Sequence, residues 1–247
     1  MIGDPVTFSI AHIYYPELFT EFEIQGSFEK IKVSAEKLGA FFNTPPPLDF
    51  ITVTMPHKIE VMKYCDKLSK DAQSIGSVNF ISIHQGILEG RNYDGIAALN
   101  AIEAYKPVHL AHVVVFGTGG AGRAAIYEAK KRGAFVTVCN RTKETGSKVA
   151  DEFNVPFSKQ IPQSFDVLIN ATSVGMDGSK DHCIIDRAVS LDGVIVLDMA
   201  SRNGECYLKK ITEETTGTYI PGKVMFKLLT RESLIDYTKI CLMLTSP

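Results

Sequence analysis

The 247-residue sequence predicts an α/β protein with two open sheets, on three observations. Short runs rich in β-branched residues, such as VVVF at 113–116 and VIVLDM at 194–199, read as strands buried on both faces. Those runs alternate with amphipathic stretches long enough to be helices. No internal repeat or low-complexity segment interrupts the alternation.

The second half is organised by residues 113–142, VVVFGTGGAGRAAIYEAKKRGAFVTVCNRT. A strand over 112–116 leads into Gly117, Gly119 and Gly122, spaced G-x-G-x-x-G. Gly117 permits a tight turn, Gly119 lets backbone approach a diphosphate, and Gly122 lets the helix pack close. A helix over 123–132 follows, Gly133 stops it, and a second strand runs over 134–139. Amide groups and the positive dipole end at a helix start suit a diphosphate, so the unit reads as a dinucleotide site. After the second strand comes Asn140-Arg141-Thr142, with no carboxylate to repel a 2′-phosphate. Arg141 can fork onto that phosphate, and Asn140 and Thr142 can donate to it, which favours NADP over NAD. The bland alternative is a solvated surface arginine.

The first hundred residues form a separate α/β region. A short strand and turn open the chain, then a helix over 12–22 and a strand over 24–32. A helix capped by Ser34 spans 34–42, and Pro45-Pro46-Pro47 makes a loop. A strand over 50–54 runs into Met55-Pro56-His57-Lys58 and a helix over 59–68. A short helix over 72–78, a hairpin of 79–83 with 87–89, and a helix over 92–104 complete it. Beyond Thr142 the pattern gives a helix over 143–153, strands over 166–170, 193–199 and 219–220, and helices over 209–215 and 223–244.

Composition excludes several function classes. Net charge is −2, which offers no electrostatic case for nucleic acid or an anionic membrane. Apolar residues make up 45%, yet no run approaches a membrane span, and no signal peptide is read at the start. Five scattered cysteines without CxxC spacing read as reduced thiols in a cytoplasm. Six dispersed histidines form no metal pattern, and His109 and His112 read as structural or solvent-exposed.

In open α/β sheets the ligand lies off the carboxyl ends of the strands. At those tips the chain resembles the shikimate dehydrogenase family over nearly its full length. Gly3-Asp4-Pro5-Val6 with Ser9 resembles the family's N-terminal substrate motif, and residues 53–58 its N-V-T-x-P-x-K. Ser77-Val78-Asn79 resembles A-V-N-T, Asn92-Tyr93-Asp94-Gly95 resembles N-T-D-G, and residues 117–123 resemble G-x-G-G-A-x-R. Asn140-Arg141-Thr142 resembles its NADP-selecting N-R-T, and residues 170–176 its N-A-T-S-x-G-M.

The resemblance implies reversible reduction of 3-dehydroshikimate to shikimate by NADPH, with no metal. Lys58 and Asp94 would be the catalytic pair, the lysine moving a proton and the aspartate holding a substrate hydroxyl. Ser9, Thr54, Asn79 and Met225 would contact substrate. Gly117, Gly119, Gly120, Ala121, Gly122, Asn140, Arg141, Thr142, Ala171, Thr172, Ser173, Met199 and Gly222 would contact the cofactor. The expected organisation is a substrate domain over 1–97, a Rossmann-type NADP-binding domain over 98–219, and a helical segment over 220–247 returning to the substrate domain. The expected assembly is a monomer or homodimer.

The chain departs from the family where the substrate's carboxylate and a hydroxyl would bind. Ala11 stands for a second serine, Ala200-Ser201 for a segment bearing a tyrosine, Leu229 for a glutamine, and Thr52 for the asparagine of N-V-T. Quinate or another cyclic hydroxy acid is therefore an alternative substrate. A non-catalytic NADP-binding protein is the alternative from a different class.

Overall fold

The computed structural model describes residues 1–7, 9–44, 47–175, 184–185, 189–200 and 206–245. The chain forms two compact units. The first holds residues 1–93 and 227–247, the second residues 94–226. The sequence placed these divisions at 97/98 and 219/220.

In the first unit, β1 (Ile2–Gly3) pairs in parallel with β2 (Ile31–Lys32). Ile2 also bridges Val53, just beyond β3 (Phe50–Thr52). β3 pairs antiparallel with β5 (Phe80–His84), and β5 antiparallel with β6 (Ile87–Arg91). β6 in turn pairs in parallel with β4 (Lys67–Leu68). Helices α1 (Ala11–Glu21), α2 (Leu38–Asn43) and α3 (Lys70–Ile75) accompany these strands. Ile2, Leu38, Ile51, Val61, Val78 and Ile81 fill one core. A second core is aromatic: Phe28 stacks on Tyr15 at 4.4 Å, and Phe50 on Phe80 at 5.1 Å.

Several local expectations yield to tertiary packing. Residues 24–30 lie outside any strand, because the Phe28 ring is held against Tyr15 and β1 is only two residues long. Residues 59–68 make a 3-10 turn over Glu60–Tyr64 and then β4 instead of one helix. The chain is captured there by β6: Asp66 N–H donates to Leu88 O, and Leu88 N–H to Asp66 Oδ2. Ser34 does not cap its helix. Its hydroxyl instead meets the Glu36 carboxyl and draws that pKa down.

The second unit is a six-stranded parallel sheet. Its strands are β7 (His112–Phe116), β8 (Phe135–Cys139), β9 (Phe157–Ser158), β10 (Val167–Asn170), β11 (Ile195–Asp198) and β12 (Thr218–Pro221). Their order is β12-β11-β10-β7-β8-β9, so the winding reverses between β7 and β10. That reversal is where an open α/β sheet leaves a crevice at its strand tips. β9 lay unseen in the sequence, being two residues directly after Pro156. Helix α4 (Asp94–Glu103) packs on α5 (Gly120–Lys131) so closely that a Cβ on Gly95 would meet Ala124 O at 2.3 Å. Helix α6 (Lys143–Phe153) links β8 to β9, and α7 (Tyr207–Glu213) precedes β12. Arg132 joins α5 to α4 through Glu128, Glu103 and Asn100.

Helix α8 (Gly222–Thr245) ends the chain. From residue 227 onward it belongs to the first unit. Ser233 bonds to the buried Tyr15 hydroxyl at 2.9 Å, and Tyr237 packs on Phe50 and Phe80. Among the described residues, no helix is long and apolar enough to cross a membrane.

Candidate active site

The glycine turn of the second unit is built for an approaching anion. Gly117 sits at φ +110°, a backbone region that favours glycine. A Cβ there would meet the Ala171 carbonyl carbon at 2.9 Å, and one on Gly122 would meet Gly117 O at 2.1 Å. These contacts hold α5 against β7 and bring the tip of β10 alongside. A Cβ on Gly119, by contrast, would meet nothing within 4 Å. Gly119 is also the N-cap of α5 and makes no side-chain cap bond. The open side of the turn thus presents bare backbone and a helix start, which fits a dinucleotide diphosphate. Gly120 and Ala121 form the first turn facing that opening.

Asn140, Arg141 and Thr142 lie at the tip of β8, where the Asn140 side chain is engaged within the loop. The two amide protons of Asn140 go to Thr142 O at 2.9 Å and Thr145 Oγ1 at 2.8 Å. Asn140 therefore shapes the loop and has no side-chain donor left for a phosphate. Gly146 secures it, since a Cβ there would press on the Phe157 ring and on Asn140 Cβ. Arg141 is exposed. Thr142 is the N-cap of α6 without a side-chain cap bond. A guanidinium and a hydroxyl at the strand tip fit a 2′-phosphate.

The tip of β10 is similarly pre-set. Thr172 donates through its N–H and its hydroxyl to Asn170 Oδ1, and accepts from Val174 N–H. That hydroxyl is committed to the loop, which leaves the backbone around Ala171 and the exposed Ser173 as the accessible edge. Asn170 donates to Asp198 Oδ1 at 2.9 Å, tying β10 to β11. Buried Asp198 also accepts from Ala200 N–H, Tyr219 OH and the Cys206 thiol. Burial raises the Cys206 pKa, which favours the thiol as donor. Met199 is half-buried beside this pair, and its N–H donates to Asn170 O. Ser201 and Met176 lie outside the described residues.

In the first unit, Lys58 is half-buried just after a tightly bonded turn. His57 N–H donates to Thr54 O at 3.1 Å, and the buried His57 ring donates to Val33 O at 2.7 Å. Thr54 N–H donates to Ile2 O, and Lys58 O accepts from Val78 N–H at 2.7 Å. Gly3 makes room for Thr54, whose methyl would lie 2.3 Å from a Cβ there.

Asn79 stands beside this turn, linked to it by Val53 N–H donating to Asn79 O at 2.8 Å. Its Oδ1 accepts from Tyr93 N–H at 3.0 Å, and its Nδ2 is buried with no partner among the described residues. The amide is thereby fixed, with one buried donor left unpaired. The peptide before Asp94 is pinned as well. Asn92 Nδ2 donates to Ser77 O and Oγ. Tyr93 OH donates to Asp236 Oδ2 at 2.5 Å, and Arg91 holds the same carboxylate at 3.0 Å. This Tyr93–Asp236 link was not read from the sequence: the residues are 143 positions apart.

Asp94 opens α4 in the second unit and is 2% exposed. Ser9, Thr54, Lys58 and Asn79 belong to the first unit, whereas Asp94, Met225 and Gly222 belong to the second. Met225 and Gly222 are both buried. The four described cysteines outside the masked stretch, Cys65, Cys139, Cys206 and Cys241, are free thiols. No His/Cys/Asp/Glu cluster suited to a metal occurs among the described residues.

Residues 1–81 match the model of the shikimate dehydrogenase substrate binding domain. Residues 95–228 match that of the alanine dehydrogenase/PNT C-terminal domain. Shikimate dehydrogenase (NADP(+)) of Pyrococcus furiosus is 35% identical over 96% of this chain and 89% of its own length. The chain belongs to the shikimate dehydrogenase family. Its namesake from Methanocaldococcus jannaschii is 32% identical over 90% of this chain and 84% of its own length. A shikimate dehydrogenase crystallised with NADP+ superposes with a TM-score of 0.90 at 30% identity, over 96% of this chain and 88% of that one. Within the shikimate dehydrogenase family, then, this member keeps the glycine turn and the lysine turn. It carries Thr52, buried with its hydroxyl unpartnered, where the resemblance expects an asparagine.

Proposed function

We propose that this member of the shikimate dehydrogenase family is an NADP-dependent dehydrogenase that reversibly reduces 3-dehydroshikimate to shikimate. The observation that carries the reading is the buried Asn79 amide, oriented by Tyr93 N–H and left with an unpaired donor beside the Lys58 turn. Bound NADPH would supply the hydride. The protein's share is to hold the substrate and manage one proton. Lys58 delivers that proton to the oxygen becoming a hydroxyl, and Asp94 accepts from a neighbouring hydroxyl and fixes the ring's orientation. Asn79 Nδ2 donates to a substrate oxygen. Ser9 and Thr54, whose backbones are fixed by Val6 O and Ile2 O, line the rest of that wall. Gly117, Gly119, Gly120, Ala121 and Gly122 cradle the diphosphate, Arg141 and Thr142 the 2′-phosphate, and Asn140 holds their loop. Ala171, Ser173, Met199 and Gly222 complete the cofactor face. The first unit serves as the substrate domain and the second as the NADP domain. Free thiols at Cys65, Cys139, Cys206 and Cys241 support a cytoplasmic setting.

Quinate or a related cyclic hydroxy acid is a second reading, favoured by the buried, apolar Leu229 where the resemblance expects a hydroxyl-binding glutamine. The test mixes purified protein with NADP and a panel of shikimate, quinate and analogues, following absorbance of the reduced nicotinamide. Shikimate should turn over fastest. Faster turnover of quinate replaces the substrate, and NADPH binding without turnover of any acid overturns the enzyme reading.

A further inference from the structure

Shikimate carries a carboxylate, ionised at neutral pH, on a ring carbon one removed from the neighbour of the carbon that bears its reacting oxygen, so the charge needs a partner of its own. Lys58 and Asn79 serve the reacting end, so another group must face that charge. The N-terminal motif offers few hydroxyls for the purpose. Ser9 is 3% exposed, its Oγ accepts from Ala11 N–H at 3.2 Å and keeps a single proton to donate, and the Ala11 side chain offers no second hydroxyl.

A cation stands at the Ser9 turn. Lys30 is half-buried, and its Nζ donates to Ser9 O at 3.3 Å and Thr7 O at 3.4 Å. The His12 ring donates to the same Ser9 carbonyl at 3.0 Å. Lys30 forms no ion pair among the described residues, and Asp4, the acid of the N-terminal motif, is held by Lys32 instead. An ammonium drawn over a backbone turn by two long bonds to neutral carbonyls retains a third donor and its full charge.

We propose that Lys30 is the specificity-determining cation that binds the substrate's carboxylate, standing in for neutral hydroxyl donors at this wall. The inference rests on the shikimate dehydrogenase reading above. It makes this member selective for anionic ring acids over neutral cyclic polyols, with the serine loop serving to aim the ammonium.

The test compares wild type, Lys30→Met and Lys30→Arg on shikimate and on its uncharged methyl ester, with NADP saturating. For Lys30→Met, KM for shikimate should rise by about tenfold or more with kcat nearly unchanged, because uniform binding is lost. KM for the ester should stay within about twofold, and Lys30→Arg should recover most of the acid's affinity. Added salt should raise the wild-type KM for shikimate and leave that of Lys30→Met flat. Equal losses on acid and ester would assign Lys30 to holding the loop and overturn the proposal, as would no change on either. Should wild type turn over neither compound, the dehydrogenase reading fails. Calorimetric titration of shikimate then decides on Lys30 alone: equal binding by wild type and Lys30→Met, or none by wild type, overturns it.

Discussion

Two buried hydroxyls make opposite demands on the first unit. Thr52 Oγ1 is buried without a partner among the described residues, and leaving such a group unpaired costs about 1–3 kcal/mol. Thr52→Val should therefore raise stability by about 1 kcal/mol, read as a higher thermal midpoint. Tyr93 is the reverse case, its hydroxyl held by Asp236 and its N–H by Asn79. Tyr93→Phe keeps the edge contact with Phe80 but strands a carboxylate shared with Arg91. It should lower stability by about 1–3 kcal/mol and reduce kcat more than NADPH affinity, since the Asn79 and Asp94 segments both hang from this residue. A loss of stability with kcat intact would confine Tyr93 to the fold. Neither residue could be valued from sequence. Thr52 is legible only as a departure from a motif, and the partner of Tyr93 lies on α8. Asn140 teaches the same lesson at short range. Its residue type suits a phosphate donor, but its amide protons are taken by residues two and five places on.

At the scale of elements, legibility followed how locally each one is determined. The strand at His112–Phe116 and the helix at Lys143–Phe153 were read with their observed bounds, because β-branched runs and glycine or polar breaks bracket them. The helix expected over 59–68 failed because pairing with β6, some twenty residues later, extends the chain at Cys65. Of the strand expected over 24–32, only Ile31–Lys32 forms, because the Phe28 ring is claimed by Tyr15. The glycine turn separates two effects that sequence alone conflates. Gly122→Ala drives a Cβ into Gly117 O, so it should destabilise the second unit by about 2 kcal/mol and abolish NADPH binding. Gly119→Ala has open space, so its thermal midpoint should stay near wild type while NADPH affinity falls, the methyl standing where diphosphate approaches. If Gly119→Ala binds NADPH normally, the diphosphate lies elsewhere.

For the whole molecule, acid sensitivity follows from carboxylates whose charged form the fold favours. Asp166 is one: His112 N–H and then Lys106 hold its pKa below the ordinary value. A depressed folded-state pKa contributes stability that is fully present above the unfolded value of about 4 and is lost as pH falls through the folded value. Asp166→Asn should thus be less stable than wild type at neutral pH, and the difference should shrink towards zero in acid; a gap that widens in acid would reverse the assignment. Family membership, the parallel sheet and the cofactor class were all legible, because each is encoded in motifs that fix backbone. The carboxylate end was not, because Lys30 lies twenty-one residues from the serine that positions it.

The proposed chemistry turns on Lys58 as the group that moves the proton. Its test is the rate of NADP reduction by shikimate at saturating concentrations for wild type and Lys58→Ala, with NADPH affinity measured on both. The expected result is a fall in kcat of about a hundredfold or more with NADPH binding unchanged. A kcat equal to wild type would remove Lys58 from the chemistry and contradict the account.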